Sequence, residues 1–195
     1  MAAQTKVEKV FIRPANSKDI IALNEMRNNN QTLLHLHHAE HFSVEETQDW
    51  LENLPSTSKR YVILYSTIYC CRNLVGVIRL DNIDHINRNC MVGLDINADY
   101  RGQGLAYPIY AWLFDYLFNQ LNFHRLYLEV IANNNKAIHL YGKLGFMPCG
   151  NWPSKVFREG HYLDSICYWL NEYVWSLNKV ILIEDEKLPR CEVLT

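Results

Sequence analysis

The sequence predicts a single α/β domain of the α+β kind, with a mixed, mostly antiparallel central sheet flanked by helices. Three observations carry this expectation. Helical patterns come first and are followed by a run of short apolar strands, the order that builds an antiparallel meander. From Met91 onward the order changes to strand, helix, strand, helix. Finally, 195 residues of which 49% are hydrophobic fill about one domain with a full core, and no internal repeat or linker divides the chain.

Val10 to Arg13 reads as the first strand, ended by Pro14. Asp19 to Arg27 is a helix, with Ile20, Leu23 and Arg27 on a 3.6-residue period and Ser17 near its start. A histidine-rich linker, Thr32 to His41, leads to Ser43-Val44-Glu45-Glu46, a capping box that opens a helix through Trp50 and Leu51 and ends it before Pro55. Residues 60–71 and 73–81 read as two strands, and a turn at Asn87 to Asn89 precedes a strand over 90–97. The segment 104–120 is helical, with Leu105, Ile109, Trp112, Leu113, Tyr116, Leu117 and Gln120 as its core-facing stripe. Arg125 to Val130 alternates as a strand, with Tyr127 and Glu129 opposite Leu126, Leu128 and Val130. A helix over 135–144 ends at Gly145, a left-handed terminator. Phe157 to Gly160 is a hairpin tip before the last core strand, Tyr162 to Trp169.

Composition narrows the function. A formal charge of -2, from 19 basic and 21 acidic residues, gives no general attraction to nucleic acid. The six cysteines lack paired metal-binding spacing and read as reduced thiols. The opening Met1 to Lys9 is too polar for a secretory leader, and no apolar run is long enough to span a membrane. A cytoplasmic protein without a membrane or nucleic-acid partner is the expectation. Four histidines, His35, His37, His38 and His41, crowd the linker, but a structural metal would call for cysteines or carboxylates at defined spacing, so no metal is expected.

The most informative stretch is Arg101-Gly102-Gln103-Gly104-Leu105-Ala106, a glycine-rich turn between a strand and a helix. The first amides of a helix lack intrahelical partners and can grip phosphate, and glycines let the backbone approach a ligand. Thirty or so residues on comes Asn134-Asn135-Lys136-Ala137-Ile138-His139-Leu140-Tyr141, closing at Gly145-Phe146. In this order and spacing the two stretches resemble the acetyl-coenzyme A site of the GNAT family of N-acetyltransferases. The resemblance runs from about Val10 to Leu170.

The resemblance implies a GNAT-like fold whose sheet splays between its fourth and fifth strands, with acetyl-coenzyme A as cofactor and a small-molecule amine as acceptor. It places the cofactor against Leu94, Asp95 and Ile96, the turn from Arg101 to Ala106, Asn134, Ala137 and Tyr141. Asn133 and Asn135 are alternatives to Asn134. Tyr141 matches the tyrosine that protonates the leaving thiolate. The glutamate that many relatives carry near the start of the fourth strand is absent, since Cys90-Met91-Val92-Gly93 stands there. Glu129 is the nearest substitute as base; Asp81, Asp84, His85 or an ordered water are alternatives. A degenerate member that binds the cofactor without turnover, as an assembly subunit, is the non-enzymatic alternative.

Three passages, Phe42 to Trp50, His85 to Cys90 and Phe157 to Asp164, resemble the branch containing ribosomal-protein alanine, spermidine and nucleotide-linked amino-sugar acetyltransferases. Arg27, His38, Asp81 and His85 are the candidate acceptor contacts. The segment 28–41 holds one acid, Glu40, against four histidines, which suits a nucleotide-linked amino sugar better than a polyamine. Spermidine and protein N-termini are the alternatives. Beyond Leu170, residues 173–183 are too apolar for a solvated tail and are expected to pack on the domain or across a homodimer, with Glu184 to Lys187 facing solvent.

Overall fold

The computed structural model describes residues 9–67, 70–182 and 190–193. Its strands are β1 (Lys9–Pro14), β2 (Lys59–Thr67), β3 (Cys70–Asp84), β4 (Asn89–Ile96), β5 (Arg125–Ile131), β6 (Met147–Arg158), β7 (His161–Asn171) and β8 (Arg190–Val193). Among the described residues these form one mixed sheet in the order β6-β7-β5-β4-β3-β2-β1-β8. Neighbours run antiparallel except for the parallel pairs β4–β5 and β1–β8.

The parallel pair β4–β5 is short. Asn89, Cys90 and Met91 stand beside Arg125, Leu126 and Tyr127, and there the pairing ends. Beyond it, Val92 to Ile96 keep β3 as their strand neighbour, while Leu128 to Ile131 keep β7. The sheet is therefore splayed between its fourth and fifth strands. Gly76 helps hold β4 to β3 where it leaves β5, because a Cβ there would stand 2.4 Å from the Asp95 carbonyl oxygen.

Helices cover both faces. On one face lie α1 (Ile20–Asn28), the one-turn α2 (Asn30–Leu33) and α3 (Val44–Glu52). Leu23 and Met26 pack there on Val62, Leu64, Leu74 and Val77. The capping box forms as expected: Ser43 Oγ accepts from the Glu46 amide at 3.1 Å, and Glu46 Oε2 accepts from the Ser43 amide at 2.7 Å. The other face carries α4 (Ala106–Phe114), α5 (Asn135–Lys143) and α6 (Glu172–Leu182) over the larger core. Trp175 of α6 is buried, its ring 5.1 Å from Phe114 at 78°. Cys191 of β8 donates from Sγ to the Pro108 carbonyl at 3.6 Å.

Several details differ from what the sequence predicts, among them that Cys70 and Cys71 open β3, which runs on to Asp84. The α-helix begins at Ala106, not 104, and gives way to a π-helix over Asp115–Gln120, where the Leu121 amide reaches back to the Tyr116 carbonyl at 3.0 Å. The buried face consequently includes Tyr110, Phe114 and Phe118 beside the expected leucines, while Trp112 and Tyr116 stack on each other at 5.4 Å, half-buried, and Gln120 is exposed. The linker contains α2. Phe157 and Arg158 belong to β6, an outer strand the sequence did not announce: nearly all its side chains are exposed, so no alternation marks it. The tip of that hairpin is Glu159-Gly160, both with positive φ. Residues 183–189, and with them the acidic run, lie outside the described residues.

Cys90, Cys149, Cys167 and Cys191 are free thiols. Among the described residues, no helix is long and apolar enough to cross a membrane, and no group of three His, Cys, Asp or Glu side chains is placed to hold a metal ion.

Candidate active site

The splay opens where β4 ends and the glycine-rich turn begins. Leu94 and Ile96 pack towards the α4 core, and Asp95, between them, faces the α1 side. Gly102 (φ +78°) and Gly104 (φ +76°) both take left-handed backbone, and a Cβ at either would meet nothing within 4 Å. The turn is thus an open cradle, followed by α4, whose N-terminus carries no side-chain cap. Leu105 anchors the turn in the core while Gln103 and Ala106 are half-buried. An open glycine turn ahead of an uncapped helix start fits a pyrophosphate.

Arg101, at the mouth of the turn, is anchored by the protein itself. Its Nε donates to the Ile96 carbonyl at 2.9 Å, Nη1 to the Gln31 carbonyl at 3.2 Å and Nη2 to Thr32 Oγ1 at 2.7 Å. The guanidinium ties the turn to α2 with three of its five N–H donors. Arg101→Ala is therefore expected to lower stability by about 1–3 kcal/mol and to raise the acceptor KM. Thermal melting and steady-state kinetics check this. A weaker acetyl-coenzyme A affinity with an unchanged melting temperature would return Arg101 to the phosphate.

α5 packs on the larger core beside α4 and β7. Asn134 caps it, Oδ1 accepting from the Ala137 amide at 3.2 Å. Tyr141 sits within an aromatic cage, its ring centroid 6.1 Å from Tyr110, 5.7 Å from Phe146 and 6.0 Å from Tyr168. Burial raises the Tyr141 pKa above the ordinary phenol value, so its hydroxyl holds its proton across the neutral range. The buried Tyr110 hydroxyl lies beside it, and burial raises its pKa as well.

The opposite face of the splay is charged. Arg79 of β3 stands beside Gly93 and donates from Nε to Asp95 Oδ2 at 2.8 Å. A Cβ on Gly93 would stand 2.8 Å from that guanidinium, so the glycine makes room for it. Asp81 accepts from Arg60 Nη2 and from Ser58 Oγ, each at 2.8 Å. Arg27 lies over Phe42 at 4.0 Å and near Trp50 at 5.4 Å. Asn28 pins the segment above by donating to the Phe42 carbonyl at 2.7 Å and accepting from the Phe42 amide at 3.0 Å.

Glu129 of β5 shares this face and is held by Lys155 Nζ of β6 at 2.5 Å. Burial alone would raise its pKa, but Lys155, the Ser165 hydroxyl and His37 together hold it below the usual carboxylate value. An ionised, paired carboxylate of this kind is a weak proton acceptor. His37 comes down onto the site: its Nε2 lies 2.7 Å from Ser165 Oγ and 3.9 Å from Glu129 Oε1. His38, the histidine picked from the sequence, is exposed. His85 lies in the β3–β4 turn near Phe123, at the closed end of the β4–β5 pair and apart from the residues gathered at the splay. The sequence reading passed over Arg79, Lys155 and Ser165 and did not single out His37; the unexplained Gly93 was the one local hint.

A splayed parallel pair, an open glycine-rich turn and a half-buried, aromatic-caged tyrosine define an acyl-coenzyme A-dependent transferase. The chain belongs to the acetyltransferase (GNAT) domain family, whose model matches residues 9–147. It is an N-acetyltransferase, with acetyl-coenzyme A as donor. It is 29% identical to the spermidine N(1)-acetyltransferase of Escherichia coli (strain K12) over 168 residues, 85% of this chain and 88% of the relative. A putative ribosomal N-acetyltransferase of Bacillus subtilis (strain 168), YdaF, is 26% identical over 107 residues, 55% of this chain and 58% of the relative. In fold the chain is similar to a spermidine N-acetyltransferase from Vibrio cholerae solved with CoA and spermine, at a TM-score of 0.79 and 24% identity, over 86% of this chain and 98% of that one.

Proposed function

We propose that the acceptor is a polyamine of the spermidine class. The observation that carries this reading is the 29% identity to a spermidine N(1)-acetyltransferase through 85% of this chain. It outweighs the preference for an amino sugar drawn from the histidine-rich segment. Glu40, Glu45 and Asp49 stand exposed on the segment and helix that cover the charged face, where they offer counter-charges to a polycation.

Acetyl-coenzyme A supplies the activated acyl group. Gly102 to Ala106, with the capped start of α5 at Asn134 and Ala137, hold its diphosphate end. The backbone of Leu94 to Ile96, unpaired towards β5, takes the pantetheine arm as a missing strand would. The Tyr141 hydroxyl gives its proton to the departing thiol. Asp81 and Arg27 flank the acceptor. The protein works in the cytoplasm.

One observation favours a second reading, the nucleotide-linked amino sugar. Asp81, Asp95 and Glu129 are each engaged by a cation, Arg60, Arg79 and Lys155, whereas the Arg27 guanidinium has aromatic rings for neighbours. Initial rates of thiol release with spermidine, spermine and a nucleotide-linked amino sugar separate the two. A kcat/KM at least tenfold higher for spermidine is expected. The reverse ranking would move the acceptor to the sugar.

A further inference from the structure

The acceptor amine must lose a proton as it attacks, and the strand-four glutamate that serves many relatives is replaced here by the stretch Cys90 to Gly93. Glu129, the substitute suggested by the sequence, is already neutralised by Lys155. A different group on the same face is free to accept a proton.

We propose that His37 is the general base, taking the amine proton at Nδ1. The inference rests on the acetyltransferase reading of the site. His37 is half-buried on the acceptor side, facing β5 and β7 beside the open stretch of the splay. Its backbone is clamped from β6, where Arg158 Nη2 donates to the carbonyls of Leu36 and of His37, the latter at 3.1 Å. The imidazole orientation follows from its partner. The fully buried Ser165 has one hydroxyl hydrogen and two acceptors besides His37, the Val130 carbonyl at 3.3 Å and Glu129; with the hydrogen given to either, its oxygen accepts from His37. In that arrangement Nε2 carries the hydrogen of the 2.7 Å contact, and Nδ1 keeps its lone pair.

The surroundings suit a base that must charge during the reaction. Glu129 from β5 lies 3.9 Å from Nε2 and stabilises the imidazolium once it forms. Lys155 from β6, Arg79 from β3 and the adjacent His38 oppose it, and burial opposes it most, so the resting imidazole titrates below the ordinary histidine value of 6.5. His37 is then neutral at pH 7 and ready to accept. In the step, the amine nitrogen bonds to the thioester carbonyl carbon and its proton passes to Nδ1. The carbon–sulfur bond breaks, and the sulfur leaves with the proton given by Tyr141. His37 returns its proton to solvent, and Tyr141 recovers one.

His37→Gln tests this, since a glutamine amide can still donate to Ser165 Oγ but cannot accept a proton at neutral pH. At pH 7.5 kcat is expected to fall by about 10²-fold or more, within the range of general base catalysis. Acetyl-coenzyme A affinity, read by calorimetry, stays within about twofold. The native enzyme loses kcat as pH drops through the His37 pKa, below 6.5, and the variant lacks that limb; an NMR titration of the free enzyme reports the same pKa independently. A variant within about threefold of native, with the acid limb intact, overturns the assignment alone. A native protein that binds no acetyl-coenzyme A and releases no thiol with any amine overturns the acetyltransferase reading and the base with it.

Discussion

Tyr141→Phe is expected to lower kcat by about 10²–10⁴-fold while leaving acetyl-coenzyme A affinity nearly unchanged. The two effects separate because the ring and the hydroxyl do different things. The ring is gripped by Tyr110, Phe146 and Tyr168, and phenylalanine keeps those contacts. The hydroxyl matters only as negative charge builds on sulfur, so its loss is felt in the transition state. Burial raises its pKa, so the proton needed for donation is in place throughout neutral pH and is lost only at alkaline pH, above the ordinary tyrosine value of 10.0. Tyr110→Phe is the matching comparison: it keeps the ring beside Tyr141 and removes only the neighbouring hydroxyl, and it is expected to change kcat much less. Single-turnover rates with saturating donor read the difference. A fall of less than about threefold for Tyr141→Phe would remove that residue from the acid role.

Truncation after Leu170 is the second large effect. It removes Trp175, whose buried ring packs on Phe114, and it strips β8 from β1. Deleting a buried tryptophan alone costs about 3–5 kcal/mol. For a chain of this size that is a drop of roughly 6–20 °C in melting temperature, before the lost β1–β8 ladder is counted. Tyr173 and Leu177 on the same helix are exposed, and a homodimer through this face is the second expectation to test. Sedimentation of the full-length and truncated proteins, beside their melting curves, checks both effects. Matching melting temperatures and matching oligomeric states would show that the tail is neither core nor interface.

Much of the fold was legible because its signals are local. The Ser43–Glu46 box, the left-handed Gly145 that ends α5 and the alternation of β5 each report a conformation set by neighbouring residues. So do the glycines of the 102–104 turn, which need a positive φ and open space whatever the rest of the chain does. Where local signals fell silent, so did the reading. β6 lies at the outer edge of the sheet with exposed side chains, and without a buried face a strand has no hydrophobic period to reveal it. The π-helix after Phe114 slips the register by one residue to bury Phe118 beside Leu117, a choice made by core packing.

What the sequence by itself determined, then, is most of the order of elements, the splayed-sheet family and the glycine-rich turn, because short-range backbone preferences and a contiguous motif encode them. Which side chains meet at the acceptor face was decided by the tertiary structure. His37 reaches Ser165 from 128 residues away, Arg101 bonds the Gln31 carbonyl across 70, and Lys155 neutralises Glu129 across 26. Adjacent histidines in one linker look alike as letters, yet chain packing turns His37 onto the site and leaves His38 in solvent. Long-range contacts fix hydrogen-bond partners and burial, and those set which group is charged, which is paired and which is left to take a proton.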